Sequence, residues 1–387
     1  MRRISRLNFL STTLVVASSL SLLLAGVSRA ADALTVYVGT YTGAKSEGIY
    51  AFTFDPANGT VGTARLVAKT PSPSFLALHP NGRFLYAVNE VGEWHGEQGG
   101  GLSAFKIEAD GGLTLLNHAP TAGGAPCHLT LDSHGRAVLV ANYSGGSVIS
   151  YRLEADGRIG SRGSFIQHTG SSVNQQRQEA PHAHGIYLDL QDRFAYVPDL
   201  GIDEVVIYRF DVATGELKPN TPAGVKLPPG SGPRHFALHP TKPLAWSLNE
   251  LLSSVTTLEV NPATGALTAG TTVSTLPEGF AGGNSTAEIF VHPGGRFLYA
   301  SNRGHDSIAV FTIDETSGAL SLVQNQPIGG KTPRSFALDP TGRWLLAAAQ
   351  GSDVVNVFRI DSDSGRLATS PATVAVPVPV CLVFRAH

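Results

Sequence analysis

Arginine, glutamate and histidine side chains recur at two equivalent positions of a repeated sequence pattern. The first position is basic in three of the repeats: His184, Arg234 and Arg334. The second position is polar or charged in four repeats: Glu90, Glu250, Arg303 and Gln350. A carboxylate or an imidazole can take a proton from water, and guanidinium groups can stabilise a carbonyl oxygen that gains negative charge. This combination favours the attack of an activated water on a carbonyl group.

His182 and His184 form a His-x-His sequence, and both side chains would lie on one face of a β-strand because side chains alternate along a strand. Such a pair could bind zinc or copper together with a third ligand. Three residues could supply that ligand: His128, His235 and Glu250. Arg234 and Arg303 occupy the two repeat positions, and their positive charge would oppose a cation. We therefore predict no metal and no cofactor.

Motifs and net charge argue against several other functions. The sequence lacks a Gly-x-Ser-x-Gly nucleophile elbow, a phosphate-binding loop and a His-Glu-x-x-His motif. The formal net charge of the 387 residues is −2, whereas a nucleic-acid-binding protein would need a basic stripe. We therefore expect a small-molecule ligand and no nucleic-acid partner.

Six repeats share a fixed internal spacing that predicts strands joined by tight turns. The residue that ends the first strand of each repeat is a histidine or an aspartate: His79, Asp132, Asp189, His239, His292 and Asp339. Each second strand ends ten residues later: Asn89, Asn142, Asp199, Asn249, Asn302 and Ala349. The chain also has 43 Gly and 24 Pro, which suit tight turns between short strands. Because histidine alternates with aspartate in the first set, we predict that these histidines are surface turn residues.

Each repeat continues into a third strand and a weaker fourth strand. The predicted third strands are Gly101–Ile107, Ser147–Leu153, Glu204–Phe210, Ser253–Val260, Ser307–Ile313 and Asp353–Ile360. The predicted fourth strands are Leu113–His118, Gly163–His168, Gly224–Leu227, Thr271–Thr275, Leu320–Gln324 and Thr373–Val376. Each repeat is therefore expected to form a small antiparallel sheet of four strands.

The two ends of the chain complete one more unit. Leu34–Gly39 and Gly48–Phe54 resemble second and third strands without a first strand, and Pro379–Phe384 resembles a first strand with nothing after it. We predict an all-β fold, a seven-bladed β-propeller of four-stranded antiparallel blades whose N- and C-terminal strands share one blade. A ring of six or eight blades is the alternative.

Residues 1–30 have the features of a secretory signal peptide. Arginines precede an apolar stretch, and the small residues Ser28 and Ala30 precede the expected cleavage site. Cleavage would leave residues 31–387 as one propeller domain, periplasmic or secreted, without membrane association. A retained membrane anchor is the alternative. Cys127 and Cys381 fall on strands of non-adjacent sheets, so we predict two buried free thiols.

Several motifs spread over the chain are shared with one known family. They are Gln178–His184, Gly232–His235, Leu248–Leu251, Ala287-Glu288, Gly295–Gly304 and Pro333-Arg334. These motifs, with the insertion Gly170–Arg177, resemble the propeller-type lactonases, which include the bacterial 6-phosphogluconolactonase and the fungal carboxy-cis,cis-muconate cyclase. The resemblance covers roughly residues 34–384 and implies a seven-bladed propeller.

The resemblance also implies a set of catalytic residues: His182, or alternatively His184, with Arg234, Glu250 and Arg303. We predict that further residues bind substrate: Glu90, Arg177, His184, His235, Glu288, Arg334 and Gln350. The implied reaction is hydrolysis of a small lactone, with Glu250 or His182 as the base and the two arginines stabilising the oxyanion. The sequence does not distinguish between these two bases.

Two other functions remain open from the sequence. A cyclase that forms a lactone could use the same four residues, and a non-catalytic propeller could bind a protein or a glycan at its rim. The export signal also departs from the family pattern, because a sugar-phosphate lactone is a cytoplasmic metabolite. Whether the substrate is phosphorylated is therefore left open. We expect a monomer.

Overall fold

Seven antiparallel β-sheets form the blades of a closed ring in this computed structural model, which describes residues 33–386. Within each blade, the strands run from the inner edge of the ring to its outer edge in chain order, except in the blade that contains both chain ends. The inner strands of consecutive blades contact one another around the ring. The predicted all-β, seven-bladed propeller is therefore confirmed.

Blade 1 contains both ends of the chain. From the inner edge outward, its strands are Pro379–Arg385, Leu34–Thr40 and Gly48–Asp55, followed by an outer edge divided into Thr60–Val61 and Arg65–Lys69. Val38 pairs with Leu382, so the C-terminal strand pairs antiparallel with the N-terminal strand. The C-terminal strand also contacts the inner strands of the two neighbouring blades, which closes the ring as predicted.

The other six blades follow in chain order, each with an inner, second, third and outer strand. Blade 2 has Leu76–Leu78, Phe84–Asn89, Gly101–Ile107 and Leu113–Pro120. Blade 3 has Pro126–Leu131, Ala137–Asn142, Ser147–Leu153 and Ile159–Gln167. Blade 4 has Tyr187–Leu188, Phe194–Asp199, Glu204–Asp211 and Glu216–Lys226.

The last three blades keep the same order. Blade 5 has Pro233–Leu238, Leu244–Asn249, Ser254–Val260 and Leu267–Ser274. Blade 6 has Ser285–Val291, Phe297–Arg303, Ser307–Ile313 and Leu320–Pro327. Blade 7 has Pro333–Leu338, Trp344–Ala349, Val354–Ile360 and Leu367–Ala375. A short ribbon, Glu93–Trp94 with Glu97–Gln98, and a 3-10 helix, Gln350–Ser352, complete the described structure.

Hydrophobic clusters fill the interfaces between neighbouring blades all around the ring. At the closure, Trp344 and Leu346 of blade 7 pack with Val36 and Phe54 of blade 1. Because each blade is covered on both faces, its second strand is buried almost throughout, as in Phe84–Asn89. The exception is Arg303, the last residue of the second strand of blade 6, which is partly exposed.

The histidines that end three of the inner strands connect neighbouring blades. His79, His239 and His292 each place Nε2 within 2.8–3.2 Å of a glycine carbonyl in the next blade. His239 is 3% exposed, so the prediction of a surface turn residue is wrong for it. The sequence repeat showed that the position lies in a turn, but not that the next blade covers this turn.

Two strand predictions differ from the structure. The outer strands are longer than predicted, as in Glu216–Lys226 of blade 4, because their exposed faces are polar and weaken the sequence pattern. The inner strand of blade 4 is shorter, since His182 and His184 precede Tyr187–Leu188 and only a single bridge joins Ala183 to Asp199. The Asp199 carboxylate accepts hydrogen bonds from the N–H groups of His182 and Gly201, and so replaces regular strand pairing there.

Cys127 and Cys381 are buried free thiols, as predicted. The predicted signal peptide, residues 1–30, lies outside the described residues, as does the predicted start of the domain at residue 31. In residues 33–386, no helix combines the length and the apolar character needed to span a membrane.

Candidate active site

The two repeat positions that carry charged side chains are neighbours in space. Inner and second strands pair antiparallel, so the start of one lies beside the end of the other. In blade 5, Pro233 pairs with Asn249, which brings Arg234 close to Glu250. The same pairing occurs in blade 6, where Ser285 lies opposite Arg303. We call this end of the ring, where the inner strands begin, the rim.

Glu250 is bound by three arginines, and we call these four residues the arginine cluster. Oε2 of Glu250 lies 2.9 Å from Nε of Arg234 and 3.0 Å from Nη2 of Arg303. Oε1 accepts a 2.8 Å hydrogen bond from Nη2 of Arg177, which comes from the loop before blade 4. The side chain of Arg177 is 40% exposed, whereas that of Arg234 is 3% exposed. Residues from three parts of the chain therefore form one buried ionic cluster.

The cluster fixes the protonation state of its members. Burial raises the pKa of Glu250, but the charges of Arg303 and Arg234 outweigh it and hold this pKa at about 2. Burial lowers the pKa of Arg303 to about 10, although Glu250 opposes the change. At neutral pH, Glu250 is a carboxylate surrounded by cations, and such a carboxylate is a weak base.

A β-bulge in blade 6 orients two of these arginines. The register of the inner strand shifts between Thr286 and Ile289. Arg303 donates a 2.7 Å hydrogen bond to the carbonyl of Thr286, and Arg234 donates one to the carbonyl of Ala287. A bulge removes carbonyls from regular strand pairing, so that they can accept hydrogen bonds from side chains. The sequence analysis did not predict this bulge.

Two histidines approach the cluster from the segment before Tyr187. Nε2 of His184 lies 3.9 Å from Oε2 of Glu250. Nδ1 of His182 lies 3.0 Å from the carbonyl oxygen of Tyr143, and the two rings stack with centroids 4.6 Å apart. A carbonyl oxygen can only accept a hydrogen bond, so Nδ1 of His182 carries a proton.

His235 and Glu288 form a buried pair between the inner strands of blades 5 and 6. They directly follow Arg234 and Ala287, which are joined by a hydrogen bond. Nδ1 of His235 lies 2.6 Å from Oε1 of Glu288, and the same oxygen accepts a 3.1 Å hydrogen bond from the N–H of Ile289. The His235 ring also lies 5.2 Å from that of His128. Burial raises the pKa of Glu288 to about 8, although Arg234 lowers it.

Burial also determines the charge of the histidines at this end of the channel. Burial, together with the charge of Arg234, holds the pKa of His184 and of His235 well below the usual value. Burial does the same for His128, assisted by His235. These three imidazoles are therefore neutral at physiological pH.

Tyr41, Glu90 and Arg334 form a separate group on blades 1, 2 and 7. The hydroxyl of Tyr41 lies 2.9 Å from both carboxylate oxygens of Glu90. The guanidinium of Arg334 lies over the Tyr41 ring, 5.1 Å from its centroid. In residues 33–386, no carboxylate approaches Arg334 within ion-pair distance, unlike the arginines around Glu250. Arg334 can therefore accept an anionic group.

One small cavity joins this group to the others. Predicted site residues form most of its wall: Glu90, Arg234, His235, Glu288 and Arg334. Gln350 begins the 3-10 helix, and within the described chain its side chain forms no hydrogen bond. The structure therefore places the predicted residues around one rim. Gln350 also lies there, with its N–H donating to the carbonyl of Thr332, but its side chain takes no part in the hydrogen bonding described above.

Three further residues belong to this site although the sequence analysis did not select them. Tyr143 stacks on His182, Tyr41 binds Glu90, and the thiol of Cys127 lines the cavity. Tyr41 and Tyr143 each follow the last residue of a second strand, which is the repeat position of Glu250. The repeat register could therefore have identified both tyrosines.

The His182–His184 pair belongs to no group of three metal-ligating side chains with mutually close ligand atoms in residues 33–386. The described residues contain one such group, Asp132, His134 and Asp192, outside the rim. The carboxylate oxygen near His184 is Oε2 of Glu250, and this oxygen is already bound by two arginines. The arrangement at the rim is suited to an anion rather than to a cation.

The fold and the site define a seven-bladed β-propeller with a buried arginine, glutamate and histidine cluster at one rim. The chain belongs to the family of propeller lactonases, since residues 35–384 match the family described as "Lactonase, 7-bladed beta-propeller". The resemblance inferred from the sequence motifs is therefore confirmed, and with it the prediction of a lactonase-type enzyme.

Three similar proteins show how the family extends over the chain. The 6-phosphogluconolactonase of Bacillus subtilis is 37% identical over 90% of this chain and 97% of its own length. The 6-phosphogluconolactonase of Formosa agariphila is 33% identical over 77% of this chain and 84% of its own length. The solved structure of the periplasmic gluconolactonase of Pseudomonas aeruginosa is 34% identical, with a TM-score of 0.86, and the match covers 92% of this chain and 99% of that one.

Proposed function

We propose that the protein hydrolyses a small sugar lactone at the rim. The observation that carries this proposal is the convergence of Arg234 and Arg303 on one oxygen of Glu250. Relatives named 6-phosphogluconolactonase and gluconolactonase support the substrate class. A lactone is a cyclic ester, and its hydrolysis needs donors for the carbonyl oxygen and a base for the attacking water.

Arg234 and Arg303 supply the donors. Each guanidinium is held at two points, by Glu250 and by a backbone carbonyl of blade 6, so its orientation is set before substrate binds. Donors that are already oriented do not have to reorganise when charge develops on the carbonyl oxygen, and this is the largest part of oxyanion stabilisation. Arg334, which has no carboxylate partner, binds an anionic or hydroxyl-rich part of the substrate.

Glu250 holds the arginines and does not act as the base. Both of its carboxylate oxygens are engaged by arginines, so neither is free to take a proton from water. The base is therefore a histidine. His182, the other candidate from the sequence, is oriented by the carbonyl of Tyr143, and its Nε2 lies 3.4 Å from Oε1 of Glu179.

We also propose that the protein acts outside the cytoplasm. The N-terminal sequence has the features of an export signal, and the similar protein of Pseudomonas aeruginosa is described as periplasmic. An exported enzyme would meet unphosphorylated sugar lactones rather than sugar phosphates. An assay with both kinds of substrate tests this point directly.

The experiment offers residues 31–387 a panel of phosphorylated and unphosphorylated gluconolactones and a carboxymuconate, with proton release measured above the spontaneous rate. We expect accelerated ring opening of at least one gluconolactone. Lactone formation from the muconate alone would instead identify a cyclase. No turnover of any compound, with the Glu250→Gln variant still binding the same ligands as the unchanged protein, would identify a binding propeller and contradict the proposal.

A further inference from the structure

A polar cavity with room for about one water molecule lies beside the arginine cluster. Ser74, Arg234, His235, Glu288 and Arg334 are among the residues that line it. Three of these residues have a buried polar atom without a hydrogen bond in residues 33–386, namely Oγ of Ser74, Nε2 of His235 and Nε of Arg234. Of these atoms, Nε of Arg234 is paired with the carboxylate of Glu250, whereas the other two have no ionic partner. Buried polar atoms are normally paired, and a water molecule is the usual partner where protein atoms are missing.

The surroundings of His235 determine which of its nitrogens faces this cavity with a lone pair. Oε1 of Glu288 accepts a hydrogen bond from the N–H of Ile289, so this oxygen is an acceptor. Nδ1 of His235 lies 2.6 Å from the same oxygen and donates its proton to it. The lone pair is then on Nε2, the atom without a protein partner. A histidine whose Nδ1–H is held by a carboxyl oxygen presents the lone pair of Nε2 in one fixed direction, as a general base requires.

We propose that this cavity binds the hydrolytic water and that His235, oriented by Glu288, is the general base that takes its proton. The inference rests on the proposed lactone hydrolysis and names the base for that reaction. His235 is a catalytic residue under this proposal, because it contacts the reacting water. Glu288 is a positioning residue, because it acts through His235.

The reaction balances with these two residues and the arginines. Nε2 of His235 removes a proton from the water while the water oxygen forms a bond to the lactone carbonyl carbon, and Arg234 stabilises the resulting oxyanion. The ring C–O bond then breaks, and the proton on Nε2 passes to the departing ring oxygen. The products are a hydroxyl group and a carboxylic acid on one open chain, and His235 is neutral again.

The positions of the two histidines favour His235 over His182. Nε2 of His182 lies 3.4 Å from Oε1 of Glu179, a side chain that is 53% exposed, so bulk water competes at this nitrogen. His235 is 2% exposed and lines a cavity of the right size for one water. A base in a dry site, fixed by a hydrogen-bond partner, holds its water in one orientation. His182 then contacts the substrate at the outer edge of the rim.

The test compares His235→Gln, His182→Gln and His239→Gln, using the gluconolactone that the unchanged protein hydrolyses fastest. We expect His235→Gln to lower kcat by about 10²–10⁴-fold with little change in KM, which is the usual effect of removing a general base. His182→Gln should act mainly on KM. His239→Gln is the matched control, since it removes a buried histidine that joins two blades away from the rim, and its folded form should keep kcat.

Imidazole added to a His235→Ala variant should restore part of kcat, which a purely structural role of His235 would not allow. If the His235 variants do not fold, Ser74→Val decides the question, because its extra methyl group takes the space of the water without touching the His235–Glu288 hydrogen bond. A kcat lowered at least tenfold in Ser74→Val supports the proposal. A kcat within threefold of the unchanged protein in either His235→Gln or Ser74→Val overturns it. An unchanged protein that hydrolyses no lactone instead overturns the proposed function.

Discussion

The guanidinium of Arg303 lies 3.0 Å from Oε2 of Glu250, across the boundary between blades 5 and 6. The two residues occupy equivalent positions of consecutive repeats, so their contact depends on how neighbouring blades pack and not on local sequence. Arg234 reaches the same oxygen from within blade 5. A closed ring brings these charges together, and the same ring shields them from water.

Substitution of Glu250 by glutamine should destabilise the protein. The change leaves Arg234 and Arg303 buried without a counter-charge, and removing one member of a buried ion pair usually costs about 3–5 kcal/mol. Urea unfolding measures the difference. Arg177→Gln is the matched control. The Arg177 side chain is 40% exposed, so this substitution should lower the free energy of unfolding by less than about 1 kcal/mol. Equal losses in the two variants would contradict the central position of Glu250.

Arg234→Ala should lower kcat for the preferred lactone by about 10²–10³-fold, since it removes a pre-oriented oxyanion donor. Glu250 keeps two arginine partners in this variant, so the fold should remain intact. Steady-state kinetics and a circular dichroism spectrum together check the prediction. Arg83→Ala, which changes an exposed arginine in a turn between strands, should leave kcat unchanged. Turnover unaffected in Arg234→Ala would refute this role.

Stability should fall as pH rises from about 7.5 to 8.5. The folded protein keeps the proton on Glu288 up to a pKa of about 8, whereas the unfolded chain releases it near the ordinary value of 4.5. The folded state therefore binds more protons in this interval, and raising the pH favours unfolding. At lower pH the buried histidines oppose this slope, because the unfolded chain protonates them near the ordinary pKa value of 6.5 and the folded protein does not. Thermal melting across this range should show the slope.

Glu288→Gln is the matched control for this pH dependence. The amide has the shape of the carboxyl group but does not titrate, so the melting temperature of the variant should change less between about pH 7.5 and 8.5. The same slope in both proteins would show that another group is responsible.

The two thiols should be inert in the folded protein. Burial raises the pKa of Cys381 to about 12 and raises that of Cys127 as well, so neither is a thiolate at pH 8. A thiol reagent should modify neither cysteine in the native state and both after unfolding in guanidinium chloride. Rapid modification of Cys127 in the native protein would show that the rim opens more widely than its packing indicates.

Removal of residues 379–387 should prevent stable folding. The deletion takes away the inner strand of blade 1, which pairs with Leu34–Thr40 and contacts both neighbouring inner strands. An open ring would expose strand edges and two blade faces, and such surfaces promote aggregation. Soluble yield and the unfolding transition measure the effect, with deletion of residues 386–387 as the control. A soluble, cooperatively folded product of the long deletion would contradict closure by the C-terminal strand.

The amino-acid sequence determined the architecture because the relevant signals are local. The length of a strand, a tight turn and the next strand is set by residues that are close in the chain, so the ten-residue spacing survives in six repeats. The predicted third strands Gly101–Ile107, Ser147–Leu153 and Ser307–Ile313 match the structure at both ends. The same register placed Arg234 and Glu250 at one end of a blade.

Only the tertiary structure decided what these side chains do to each other. The sequence allowed Glu250 to be a base, whereas three arginines from different segments make it their anchor. The bulge at Thr286, the pairing of His235 with Glu288 and the cover over His239 also arise between segments far apart in the chain. The physical reason is that charge and protonation depend on distance and burial, and neither is fixed until the blades have packed into a ring.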